Sequence, residues 1–197
     1  MKFNIRHQDR YSRGELILRT FLGWLYIAIP HGFLLFFAGL WGLILCFLAF
    51  WAVLFTGRYP RKFFDFQVGL CHWSTRLNAR LYNLSDGYPP FGLHKNDEAI
   101  ELDIPYPEKL SRGLLILRIL FGWIYVLIPH GFILFFRGIA TAVVMIIAWF
   151  IVLFTGRYPA SMHAFVTGTL RWGMRINLYM SFMTDNYPPF SGKPDPE

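Results

Sequence analysis

LILRTFLGWLYIAIPHGFLLFFAGLWGLILCFLAFWAVLF, residues 16–55, decides the fold of this chain. The run is almost continuously apolar, and its sole charge is Arg19. As one α-helix it would extend about 60 Å, against a bilayer hydrocarbon core of about 30 Å. One straight crossing cannot use such a run, whereas two crossings can. The spacing therefore predicts a hairpin, with helices over residues 16–36 and 40–56 and a turn at Ala38 and Gly39, the alternative being one full crossing per unit with the first segment re-entrant or on the surface.

The chain then repeats itself. SRGELILRTFLGWLYIAIPHGFLLFF at residues 12–37 returns 99 residues later as SRGLLILRILFGWIYVLIPHGFILFF at 111–136. The same offset pairs LFTGRYP at 54–60 with 153–159, and YPPF at 88–91 with 187–190. This is a tandem duplication, and it supplies two copies of any site. The second copy predicts a second hairpin over residues 115–155, with its turn at Arg137 and Gly138.

Composition supports lipid as part of the solvent. The 197 residues are 55% hydrophobic and 19% aromatic, with a mean hydropathy of +0.38. Only 16% are charged, where a soluble domain carries about 25%. The net charge of +7 comes from basic residues that flank the apolar runs. That placement points to anionic lipid headgroups and away from nucleic acid. Cys46 and Cys71 lack counterparts in the other repeat and have neither metal nor disulfide spacing. The polar N-terminal stretch lacks a signal-peptide layout. Under the hairpin reading, the basic residues from Lys2 to Arg175 crowd one side, and Arg137 alone falls clearly on the other. The positive-inside tendency then puts both termini and the linker in the cytoplasm.

After each TGRYP the pattern changes. Phe63, Phe66, Leu70, Trp73, Leu77, Leu81 and Leu84 recur at three- and four-residue steps, as do Met162, Phe165, Thr169, Trp172, Ile176, Met180 and Met183. These are amphipathic helices over about residues 61–84 and 160–183, lying at the membrane interface or across the hairpin ends. The first repeat unit is then 1–92, an acidic polar linker spans 93–109, and the second unit is 110–197. Within the linker, residues 101–105 read as a short extended piece, and KFNIR at 2–6 matches it in shape, Ile5 aligning with Ile104. The fold class read from the sequence is an all-α membrane protein of two tandem repeats, each a transmembrane hairpin plus an amphipathic interfacial helix.

Three features offer chemistry. Ile-Pro-His-Gly places His31 and His130 just after a proline bend, inside apolar sequence. The proline leaves a carbonyl one turn earlier unpaired. Each histidine either satisfies local backbone or tyrosine groups, or the two together hold a haem or a quinone, or they handle protons. Arg19 and Arg118, one turn into the apolar run, either snorkel to the interface or form a charge pair with Asp86 or Asp185 or with a lipid phosphate. In the TGRYP turn, Gly57 and Gly156 permit a tight exit, and Arg58 and Arg157 meet the headgroup layer beside Tyr59 and Tyr158. With Arg76 and Arg175 of the amphipathic helices, these form the expected lipid- or partner-binding set. No zinc signature, phosphate loop or nucleophilic triad stands in the sequence, so neither an enzyme nor a resident cofactor or metal is expected.

LFTGRYP, the downstream G-x-x-x-W-x-x-R-x-N (residues 69–78 and 168–177) and D-x-YPPF together resemble the DUF4389 family, bacterial membrane proteins of unknown function. The resemblance covers nearly the whole chain, once per repeat. It implies a multi-pass membrane protein and brings no enzyme assignment. Its IPH, TGRYP, W-x-x-R and YPPF elements fall on His31 and His130, Arg58 and Arg157, Trp73 and Trp172 with Arg76 and Arg175, and Tyr88 and Tyr187. The expected role is an accessory or assembly subunit of the bacterial inner membrane, binding phospholipids and a membrane protein partner or a second copy of itself. The alternatives are a lipid or small-solute transport component and a haem- or quinone-bearing electron-transfer subunit.

Overall fold

Residues 13–56, expected as a hairpin, form one uninterrupted helix in the computed structural model, which describes residues 1–195. This helix, α1 (Arg13–Thr56), has 44 residues, and its repeat mate α3 (Arg112–Thr155) has the same length. The hairpin expectation is corrected in both repeats. Ala38 and Gly39 lie inside α1, and Arg137 and Gly138 lie inside α3. One glycine costs a helix only about 1 kcal/mol and cannot reverse it when the residues around it favour continuation.

The real irregularity sits at the proline. A π-helical turn, Trp24–Ala28, precedes Pro30, and Trp123–Leu127 precedes Pro129. Proline lacks an N–H, and its ring crowds the carbonyl four residues back. The widened turn absorbs that conflict without ending the helix.

The helix ends follow their sequence signals. Ser12 Oγ accepts from the Glu15 amide at 3.3 Å, and Ser111 Oγ from the Leu114 amide at 3.3 Å, satisfying first-turn donors. Gly57 and Gly156 close the helices in the left-handed region, at φ 71° and 70°. The chain turns into α2 (Arg61–Leu81) and α4 (Ala160–Met180), which pack back along α1 and α3. Both helices stop about three residues before the end expected from periodicity. Asn83 and Phe182 there take left-handed backbone, at φ 55° and 61°.

A two-stranded antiparallel sheet joins the repeats. β1 (Lys2–Ile5) pairs with β2 (Ile100–Asp103), with Phe3 opposite Leu102 and Asn4 opposite Glu101. Phe3 and Leu102 are equivalent at the 99-residue offset, so a local two-fold axis passes between them. Other contacts come in mated pairs. Tyr11 donates its amide to the Gly156 carbonyl at 2.9 Å, and Leu110 to that of Gly57 at 2.8 Å. The start of each long helix therefore packs on the end of the other. Leu16, Val53, Leu115 and Val152 share a core with Phe3, Ile5, Leu102 and Ile104. The segment read as a linker thus carries a strand of the second repeat. Each repeat is a strand, a long helix, a shorter helix and a proline-rich strap.

Each long helix is long and apolar enough to cross a membrane, and only 17% of its most apolar window is buried. Phe33, Phe36, Leu43, Phe47 and Phe55 are exposed, as are Phe132, Phe135, Ile146 and Phe154. Apolar surface of that extent marks an interaction with lipid or protein. Arg137, expected on the opposite side from the other basic residues, instead reaches α4. Its guanidinium donates to Thr169 Oγ1 at 2.9 Å and to the Phe165 carbonyl at 3.1 Å. In the absence of a turn at Gly138, nothing carries this charge away from the shorter helix.

Candidate functional site

Three of the repeated motifs meet in one cluster per repeat. The carbonyl freed by Pro30 is that of Tyr26, and the Tyr88 hydroxyl of YPPF donates to it at 3.1 Å. Tyr187 donates to the Tyr125 carbonyl at 2.9 Å. His31 lies buried beside this bond. Its Nδ1 accepts from Trp73 Nε1 at 2.8 Å, and its ring stacks on Phe91 with centroids 3.8 Å apart. His130 repeats the arrangement with Trp172 at 2.9 Å and Phe190 at 4.0 Å. Every ring and hydrogen-bond partner of each histidine belongs to its own repeat. The cluster latches the proline-rich strap onto the bend of the long helix.

The arginines of the shorter helices hold the same strap. Arg76 donates to the carbonyls of Gly92 and Lys95. Arg175 donates to those of Ser191 and Lys193, at 2.8 and 2.7 Å. Arg80 pairs with Asp97 at 2.8 Å, both nearly buried. Arg76 is 1% exposed and Arg175 7%, so their guanidiniums face the strap and not a lipid surface. Arg19 pairs with Asp86 at 2.8 Å, and Arg118 pairs with Asp185. Each aspartate also accepts the amide of the helix-capping serine, Ser12 or Ser111, at 2.6 Å. Tyr59 and Tyr158 are buried. Their backbone carbonyls accept from Tyr106 and from His7 Nε2 respectively.

Arg58 and Arg157 remain. Both are exposed, and among the described residues neither guanidinium bonds to protein. Their setting is built from both repeats. At one junction Arg157 lies with Arg10, Tyr11, Arg13, Thr155 and Gly156 around a cleft of about 510 Å³. Arg13 Nη2 donates to the Phe154 carbonyl at 2.9 Å, capping the C-terminal end of α3. At the mated junction Arg112 Nη2 donates to the Phe55 carbonyl at 2.8 Å, and Arg58 and Lys109 hold the positions equivalent to Arg157 and Arg10. Burial pushes the Tyr11 phenol up to about 12, so it enters the cleft neutral. Of these three cations one is committed to backbone, which leaves guanidinium donors available for oxygen ligands.

The sequence reading singled out Arg58 and Arg157 and did not place Arg13, Arg112, Arg10 and Lys109 beside them. The signal was present in the repeated SRG. It could not be read because the partners lie in opposite repeats. The Cys71 thiol is pushed up to about 12 by burial and stays protonated. Among the described residues no three His, Cys, Asp or Glu side chains stand where they could hold a metal ion.

Compared with known protein families, the chain matches one family twice, the Domain of unknown function (DUF4389), over residues 18–92 and 114–192. No curated protein and no solved structure matches it.

Proposed function

The chain belongs to the DUF4389 family, as two tandem copies, and from that premise we propose that it is a membrane-embedded scaffold that grips anionic lipid headgroups at its two basic junctions. The observation that carries this reading is the position of Arg58 and Arg157. They are the repeated-motif arginines left without an internal bond among the described residues, and they border long helices whose apolar faces are mostly exposed. Phosphate oxygens match guanidinium donors, and a neighbouring apolar surface holds the lipid tails.

The two-fold axis supports a specific orientation. The outer face of the sheet carries Lys2, Asn4, Glu101 and Asp103, all exposed, so it belongs in water. The axis runs through that sheet into the core and therefore lies along the membrane normal. Both basic junctions then sit at one depth, and each long helix enters and leaves on the same face. This agrees with termini and residues 93–109 sharing the basic, cytoplasmic side of a bacterial inner membrane. An accessory role beside a membrane protein partner fits the same surface.

Vesicle flotation tests the reading. Arg58→Ala with Arg157→Ala should weaken binding to phosphatidylglycerol vesicles about tenfold or more and leave phosphatidylcholine vesicles unaffected. Equal loss on both vesicle types would assign these arginines to folding instead.

A further inference from the structure

A second cleft, of about 830 Å³, opens between the repeats at the far end of α2. Asn83, Tyr82, Thr141, Met145, Trp149 and Leu170 are among its walls. Exposed Ile146 stands at its edge, so it opens onto an apolar helix face. Its two-fold counterpart is filled by the protein. Phe182 stands at the position of Asn83, with its ring 6.1 Å from that of Phe50, the counterpart of Trp149. The Leu70 side chain covers Gly42, the counterpart of Thr141, so closely that an added Cβ would come within 2.7 Å of it. Both Asn83 and Phe182 keep left-handed backbone, which is uncommon for phenylalanine. The fold therefore shows what fills this space: apolar side chains in one half, and nothing of its own in the other.

The polar groups of the open cleft are neutral or committed. Arg19, at its rim, is engaged by Asp86, Ser85 and Asn83. Arg19 Nε can only donate, so the Asn83 oxygen accepts this bond at 3.0 Å and its amide nitrogen is left as a donor. In the second repeat the same exchange leaves Arg118 Nε buried with no partner among the described residues.

We propose that this cleft binds one acyl chain of a membrane phospholipid, whose ester carbonyl accepts from the Asn83 amide. The occupant comes from the bilayer because the mouth opens on the exposed faces of the long helices; to that extent the proposal rests on the membrane reading above. It needs an apolar body because the twin site is packed with Phe182, Phe50 and Leu70. It needs an acceptor at one end because the free group of Asn83 is a donor.

The test uses the full chain purified in mild detergent, delipidated, and mixed with palmitoyl-oleoyl phosphatidylcholine, with bound lipid counted by native mass spectrometry. The wild type should retain one lipid per chain. Asn83→Phe, which installs the residue of the twin site, should reduce retention at least tenfold. Phe182→Asn should open the twin and add a second lipid. Ala142→Trp, at the exposed mouth, should block binding without disturbing the core, so the result does not depend on Asn83→Phe folding. Equal retention in the wild type and both blocking variants would overturn the proposal. So would loss on Arg58→Ala with Arg157→Ala but not on Asn83→Phe, which would place the lipid at the basic junctions. Recovery of the wild type from cells without detergent, in the soluble fraction, would overturn the membrane reading and this site with it.

Discussion

Trp73 donates its indole N–H to Nδ1 of His31 at 2.8 Å, and both side chains are buried. The bond joins the shorter helix to the bend of the long one. Replacing Trp73 by Phe keeps most of the apolar volume and leaves Nδ1 with no donor. A buried polar atom left unpaired costs about 1–3 kcal/mol. Trp73→Phe should therefore lower the unfolding midpoint in detergent by several degrees, and His31→Leu with Trp73→Phe should recover part of that loss. A double variant no more stable than Trp73→Phe alone would show that the imidazole contributes through packing and not through this bond.

The two buried arginine–aspartate pairs are equivalent in position but unequal in support. Arg19 has Glu15 at 3.5 Å as a second carboxylate. Leu114 occupies the corresponding place beside Arg118, whose other contacts are the Tyr179 carbonyl at 3.1 Å and the Tyr179 ring at 4.1 Å. Removing one partner of a buried pair costs about 3–5 kcal/mol, and partial exposure of Asp185 puts this case near the low end. Asp185→Ala should destabilise by about 3 kcal/mol, and Asp86→Ala by less, because Glu15 remains. Chemical denaturation of the two variants side by side checks the order, and the reverse order would refute it.

These pairings show how much of the fold the sequence carried. The repeat, the all-helical class, the amphipathic second helices, the glycine exits and the carbonyl freed by proline all follow from local periodicity and local chemistry. The short strand at residues 100–103 was visible as an extended piece, and the likeness of KFNIR to it hinted at its partner. The hairpin was a misreading for a definite reason. A length argument against one straight crossing does not require a break in the helix, because a helix continues past a proline by widening one turn. The strap was illegible because it depends on distant contacts. Gly168 is fixed by the approach of the Gly192 carbonyl, 2.9 Å from where a Cβ would stand, and Gly69 by Leu93 at 2.8 Å. Nothing within ten residues of either glycine announces that contact. The same limit hid the basic junctions, where Arg13 meets Arg157 and Arg112 meets Arg58 only after the two repeats have docked.

One joint between the repeats should respond to pH. His163 is buried in α4, with its Nε2 against the Leu84 carbonyl at 3.1 Å. Its ring meets His7 edge-on at 5.1 Å and Tyr158 at 5.6 Å. Burial first, and His7 beside it, hold its pKa below the ordinary histidine value, against the opposing pull of the Leu84 carbonyl. The unfolded chain, at about 6.5, takes up its proton first as pH falls. The contribution of His163 to stability is therefore complete above about pH 6.5 and declines as pH falls from there towards the folded value, below which it levels off. Phe64 occupies the equivalent place in α2 and shows that a phenyl ring fits such a site. His163→Phe should cost about 1 kcal/mol at pH 8, from the lost hydrogen bond. It should also flatten the fall in unfolding midpoint between pH 7 and pH 5 relative to the wild type. Parallel curves for the two proteins over that range would show that His163 does not titrate on unfolding.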